Sequence, residues 1–391
     1  MNNPPQLNPR HVIGLDALRF IAAMVVVAYH YGFWFWVDPS PVSSPGLQHL
    51  ISFPELFSST HFGWVGVQVF FVISGFVIAF SGERASAYAF LVSRVVRLGP
   101  GVWICASVTL VAVLIGGEWS VYHTLRAFMH SVLFIPVAPW IDYAYWTLGI
   151  EIVFYFLVFL LVLRGKFIWI NRLAIVVGLL SALFWLMAWV ASVGEAGPFA
   201  QLMLHLRRSR ILALLLVHHG IFFALGIFLW LALVRQRKRE NQLWCVFFCA
   251  AGCLQIALTA AATNQTTGSA FSAWTPVLFW LGALAWMVLS VRKNHRVHAL
   301  PQWFLRCLKT AGMMTFPLYL LHQVAGAQLM YSLVQAGAGR WVALAGALLF
   351  SLCGAWLVAV HAEPALQRVT KQLLLRAGTR FSFGKNGGIA S

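Results

Sequence analysis

Apolar residues in this chain gather in runs of about twenty, and short polar stretches separate them. WVALAGALLFSLCGAWLVAV is typical. At ~1.5 Å of rise per residue, a helix of that length crosses a ~30 Å hydrocarbon core. The pattern predicts ten spans, at 12–37, 62–81, 98–117, 145–163, 173–193, 216–234, 242–262, 272–291, 310–332 and 341–360. The fold class is therefore an all-α polytopic membrane protein, a bundle of about ten transmembrane helices. There is no internal repeat and no soluble domain. The loops 38–60 and 118–144 exceed a minimal connection, which makes each a candidate lid or substrate mouth.

Composition excludes a soluble reading. The 391 residues are 61% hydrophobic and 9% charged, against about 25% charged in a soluble domain. The net charge of +17 comes from 27 Lys and Arg against 10 Asp and Glu. On a soluble protein that balance would suggest nucleic acid. Here the basic residues sit between apolar spans, so no nucleic-acid partner is expected and the partner is the lipid bilayer.

With a cytoplasmic N-terminus, 21 of the 27 basic residues fall on the inner side. Five fall outside: Arg126, Arg207, Arg208, Arg210 and Arg340; Arg19 lies inside the first span. That asymmetry places both termini in the cytoplasm. The three arginines at 207–210 fit it poorly and suggest an interfacial helix or a re-entrant turn. A single membrane domain over 1–366 is followed by a basic tail, 367–391. The tail either touches anionic headgroups or holds the last helix in place. The cysteines include no CxxC pair, so no metal site is expected. Cys245, Cys249 and Cys253 form one helix stripe of small packing residues.

Ionisable residues inside spans are costly and mark function. Arg19 and His30 are eleven residues apart, and eleven steps of ~100° come within ~20° of three full turns. They share a helix face about 16 Å apart along the axis, and Asp16 is spaced to pair with Arg19. The competing structural reading is a buried ion pair with a satisfied core histidine. Arg94 and Arg97, in RVVR, share a face at the entry to the third span. Two guanidinium forks suit phosphate groups; an ordinary positively charged flank is the alternative. Trp146 and Glu151 enter the fourth span together. Glu151 is free to orient His30, pair with an arginine or stay neutral. Thr315, Tyr319 and His322 share one face of a helix kinked by Pro317. The FWFW run at 33–36 either stacks on sugar rings or forms an interfacial belt.

Taken in order, these segments resemble one family. The arginine–ten residues–histidine pattern (Arg19, His30), FFVISGFVI with Ser74 and Gly75, the Arg94–Arg97 pair, WTLGIEIVFY, TFPLYLLH and the closing Glu363–Pro364 match the acyltransferase family 3 integral membrane proteins. That family includes O-acetylases of surface polysaccharides, O-antigen and nodulation factors. The match runs from residue 13 to 364, and departs from it at 315–316, where Thr-Phe replaces the commoner Ser-Tyr.

The resemblance implies a central acyl-transfer cavity and a membrane-bound O-acyltransferase. It implies an acyl group, usually acetyl, moved from cytoplasmic acetyl-CoA (acyl-CoA) to a hydroxyl of an extracytoplasmic or lipid-linked carbohydrate or glycolipid. The CoA is a donor substrate, and no permanently bound cofactor is expected. The expected catalytic residues are His30, Glu151 and Arg19. Arg19, Arg94 and Arg97 are expected on the donor, and Trp146, Tyr319 and His322 on the acceptor. His30 would act as general base or carry the acyl group. A multi-span transporter or flippase of a glycan or lipid is the rival class.

Overall fold

The computed structural model describes residues 12–37, 52–117, 119–194, 197–235 and 238–383, with side chains to residue 377. The described residues are built from helices and short connections. Eight of the helices are long and apolar enough to cross a membrane: Ile13–Val37, Pro54–Gly82, Ala87–Gly116, Tyr143–Leu163, Phe167–Val193, Arg239–Thr267, Trp274–Arg292 and Arg340–Ala377. The all-α polytopic class is thus the observed one.

Two of the ten expected spans meet the structure differently. The span expected at 216–234 is a shorter apolar helix, Gly220–Arg235. Its residues from Gly220 to Trp230 are all buried, so it is a core helix sheathed by its neighbours. The span expected at 310–332 falls on Gln302–Leu321, a π-helical turn His322–Gly326, and Ala327–Gln335. It lies outside the eight because Thr315, Pro317, His322 and Gln323 interrupt its hydropathy. All four are buried in the bundle interior.

The ten principal helices are α1 (Ile13–Tyr29), α2 (Gly66–Gly82), α3 (Ala87–Gly116), α4 (Trp146–Leu163), α5 (Ile170–Val193), α6 (Gly220–Trp230), α7 (Arg239–Thr267), α8 (Trp274–Arg292), α9 (Gln302–Leu321) and α10 (Arg340–Leu357). Local chemistry sets several ends. The Ser86 hydroxyl accepts the Ala89 N–H and caps α3 at 3.2 Å. At its other end Gly117 takes φ 70° and returns its N–H to Val113. Helix α6 packs on α2, α5 and α7, while α1 packs on α2, α8 and α9. The α2–α6 crossing is close because glycines face each other: a Cβ on Gly75 would lie 2.3 Å from the Phe223 carbonyl oxygen, and one on Gly226 2.1 Å from that of Val72.

The connections carry structure of their own. Pro54–Thr60 is a short helix leading into α2; the rest of the 38–60 loop, residues 38–51, lies outside the described residues. The 118–144 loop contains a helix, Val121–Val132, packed on α3. Pro198–Arg207 and Arg210–Leu214 are short helices. Their arginines serve as carbonyl donors: Arg207 to Leu258, and Arg210 to Pro136 and Trp146. After α10 and a π-turn the chain stays helical from Glu363 to Phe383. The boundary expected at 366 therefore falls within a helix, which packs on α3 and accepts the Tyr88 hydroxyl at the Leu374 carbonyl.

Candidate active site

Two adjoining cavities run along α1 and α9 through the bundle. The first opens beside Val12, where the described chain begins, and Gln367, in the second turn of its last helix. Lys309, Asp16 and Glu363 add charge to its wall. The second lies deeper, among α1, α2, α3, α4 and α9, and is lined by Ser74, Arg94, Glu151, Tyr155, Thr315 and Tyr319. Arg19, Val77, Arg97, Gly312 and Phe316 line both, so the two share a wall that carries two guanidinium groups.

Arg19 and Arg94 are held by different devices. Arg19 pairs with Asp16 at 3.5 Å, as its spacing predicts. Gly312 makes room for that pair, because a Cβ there would sit 2.4 Å from the Asp16 Cβ. Arg94 is propped by the Ser93 hydroxyl at 3.1 Å and stacks its guanidinium over Tyr155, 5.7 Å from the ring centre. The Tyr155 hydroxyl donates to Glu151 Oε1, and the Ser74 hydroxyl donates to the same oxygen at 2.7 Å. Of the options open to Glu151, the structure connects it with Ser74, Tyr155 and, through Tyr155, Arg94. It does not reach His30.

The partner of His30 is His322. His322 Nε2 lies 3.1 Å from His30 Nδ1, and the two ring centres are 5.0 Å apart. His322, just past the end of α9, follows Tyr319 by about one turn, and their rings are 5.8 Å apart. The pair therefore sits just beyond the deep cavity, on the side away from the charged mouth. With both rings neutral, the hydrogen-bond partners assign the tautomers. His322 Nδ1 lies 3.1 Å from the Leu318 carbonyl, an acceptor only, so Nδ1 carries the hydrogen. Its Nε2 then offers a lone pair to His30. His30 Nδ1 lies 3.0 Å from the Val26 carbonyl, so it too carries its hydrogen there and shares it with His322. That leaves His30 Nε2 as the available basic nitrogen.

Both histidines open π-helical turns, His30–Trp34 and His322–Gly326. Such turns widen the helix, release backbone groups from α-helical partners and recur at functional sites. Side chains bond to backbone groups in these turns. The Tyr31 hydroxyl donates to the His322 carbonyl at 2.7 Å, with the Ser351 hydroxyl 2.9 Å away. The Trp36 indole donates to the Tyr31 carbonyl at 2.6 Å. The Val324 N–H donates to Asp142 at 2.9 Å.

The expected residues are thus only partly gathered. Arg19, Arg94, Arg97, Glu151 and Tyr319 line the deep cavity. Trp146 does not; its ring packs on His219, and its carbonyl accepts from Arg210. The FWFW run is not free to stack on sugars as a unit, because Phe33 and Phe35 are fully buried. Sequence reasoning passed over Tyr31, Ser351 and Asp142. Only Asp142 left a trace, as an acidic residue just ahead of a helix start.

Comparison with known proteins agrees with the resemblance read from the motifs. The family described as "Acyltransferase domain" matches residues 12–360. A stretch of 138 residues is 32% identical to Nodulation protein 10 of Rhizobium leguminosarum bv. viciae, covering 35% of each chain. Another of 102 residues is 34% identical to Exopolysaccharide production protein ExoZ of Rhizobium meliloti (strain 1021), covering 24% of this chain and 32% of that protein. The matched stretches thus span about a third of each curated relative's length. No solved structure matches the chain. With the family match covering nearly the whole chain and the motifs standing in its interior, the protein belongs to the acyltransferase family and is a multi-pass membrane protein.

Proposed function

We propose that the protein is an O-acyltransferase of the bacterial inner (plasma) membrane. It moves an acyl group, most simply acetyl, from cytoplasmic acyl-CoA to a hydroxyl of an extracytoplasmic or lipid-linked carbohydrate. The observation that carries this reading is the line of groups through the bundle. A cavity walled by Lys309 shares Arg19 and Arg97 with a deeper one that holds Arg94 and Tyr319, and the Tyr319 ring stands beside a histidine pair.

Coenzyme A has the same linear order. Its phosphates suit guanidinium forks, and its pantetheine arm carries the thioester well away from them. The acceptor approaches His30 from the opposite face. His30 Nε2 takes the hydroxyl proton as the oxygen attacks the thioester carbon. The C–S bond breaks, and the departing thiolate takes the proton back from His30, which releases CoA and the ester. During the step the imidazolium is held by the Val26 carbonyl and the His322 lone pair. Two relatives carry names that speak of nodulation and of exopolysaccharide production, which supports a glycan acceptor. On this reading both termini are cytoplasmic.

The test is acyl-CoA consumption by purified protein with envelope glycans as acceptor. Wild type is expected to consume acetyl-CoA and label the glycan, and His30→Ala is expected to do neither while remaining folded. Full transfer by His30→Ala overturns the mechanism. A wild-type protein that moves glycan without consuming acyl-CoA replaces it with a flippase.

A further inference from the structure

The 118–144 connection does more than join two spans. After the Val121–Val132 helix it turns back under its own hydrogen bonds. The Ser131 hydroxyl accepts the Ile141 N–H at 2.9 Å, and the Trp140 indole donates to the Ile135 carbonyl at 2.9 Å. The fold of this strap delivers one carboxylate, Asp142, into the interior, where it is fully buried.

A buried carboxylate with no cation is expensive unless N–H donors surround it. Among the described residues no Lys, Arg or His makes an ion pair with Asp142. Its two oxygens instead divide between two elements. Oδ1 accepts the Ala144 N–H at 2.8 Å and caps the Tyr143–Tyr145 turn that starts α4. Oδ2 accepts the Val324 N–H at 2.9 Å, inside the π-turn that begins at His322. One side chain thus ties the start of the helix bearing Glu151 to the turn bearing His322.

We propose that Asp142 is a positioning residue for the acyl-transfer step, locking the His322 turn in its π form so that His322 meets His30. The inference rests on the acyltransferase reading above. In an α-helix the Val324 N–H would bond to the Leu320 carbonyl four residues back. A π-turn shifts that register to five residues back, and a buried N–H displaced by the shift must find another acceptor. Asp142 supplies that acceptor at 2.9 Å. Tyr31 holds the same turn from its other polarity, at the His322 carbonyl. Without the carboxylate, the turn relaxes toward α-helix, and the His322 ring leaves its 3.1 Å contact with His30.

Two variants separate the latch from the cap. Asp142→Ser keeps a hydroxyl that can cap the Tyr143 turn but is too short to reach Val324. Asp142→Asn keeps the shape but turns one acceptor into a donor facing an N–H. Transfer is measured per CoA-binding site in detergent-purified protein, with hydrogen–deuterium exchange over 322–326. Both variants are expected to bind CoA as wild type does, with KM for acyl-CoA within about twofold. In both, kcat should fall about 100-fold, the scale of a small misplacement at a reacting centre, and exchange at 322–326 should rise. Wild-type kcat per CoA site in Asp142→Ser overturns the proposal. So does failure of both variants to give CoA-binding protein, which assigns the carboxylate to folding alone. If wild type itself shows no acyl-CoA-dependent transfer, the acyltransferase reading has failed instead. The exchange measurement still reports on the latch in that case.

Discussion

Replacing His322 with leucine removes the acceptor that faces His30 Nδ1 at 3.1 Å while keeping an apolar side chain of similar bulk. In the resting site the loss is modest, because the Val26 carbonyl still takes the Nδ1 hydrogen at 3.0 Å. In the transition state His30 is an imidazolium, and the bond to His322 becomes charge-assisted. Hydrogen bonds to charged groups contribute about 1.5–3 kcal/mol, and each ~1.36 kcal/mol is tenfold in rate. His322→Leu is therefore expected to lower kcat by about 10- to 150-fold, with KM for acyl-CoA little changed. His322→Gln, whose amide oxygen can take the place of Nε2, should recover part of the loss. Single-turnover transfer with saturating acetyl-CoA reads the chemical step directly. A folded His322→Leu protein with wild-type single-turnover rate would refute the assignment of His322 to His30, and the pair would be a packing contact only.

The arginines predict a different signature. Arg97→Ala should weaken acyl-CoA binding by about one to two decades, from the loss of about 1.5–3 kcal/mol of charge-assisted contact, with the acceptor's KM unmoved; CoA titration of purified protein checks this. Arg94→Ala should lower kcat as well, because Arg94 also stacks on the Tyr155 that donates to Glu151; a pure binding defect in that variant would break the proposed link. Gly75→Ala tests the scaffold, since its new Cβ would lie 2.3 Å from a backbone oxygen of α6 that cannot move aside cheaply. Overpacking of this kind costs about 1–3 kcal/mol, so a lower melting temperature in detergent is expected, and an unchanged one would mean that the crossing relaxes freely.

Much of this site was legible because charge is so expensive in a bilayer. Arg19, Glu151 and His322 announce themselves as residues that apolar spans should not contain, and all three are found facing the interior. Helical arithmetic sufficed for Arg19 with Asp16, which are three residues apart and do pair. It also placed Arg94 and Arg97 together, and both line the deep cavity. The same arithmetic could not choose a partner for Glu151. That choice depends on how far α4 slides against α2, which the sequence of neither helix states. The apolar pattern did place a span over His322, at 310–332, but it could not show that the span breaks at a π-turn there, since the polar groups that give the segment its chemistry carry no helical period of their own.

The least legible part is the backbone around the two histidines, and the reason is specific. A π-turn has no periodicity of its own; it is one extra residue inserted in a helix, and it persists only where other groups satisfy what it exposes. Here those groups come from far away in sequence: Tyr31 for the His322 carbonyl, Asp142 for the Val324 N–H, Ser351 beside Tyr31. Each alone reads as an unremarkable aromatic, acidic or hydroxyl residue. Their meaning lies in a three-way meeting of the π-turn after α1, α10 and the 118–144 strap at one turn beyond α9. A span count extracts helices and discards connections, so it loses the strap that delivers Asp142. In this protein the cavity belongs to the spans, while the aim of the histidine at its end depends on a loop.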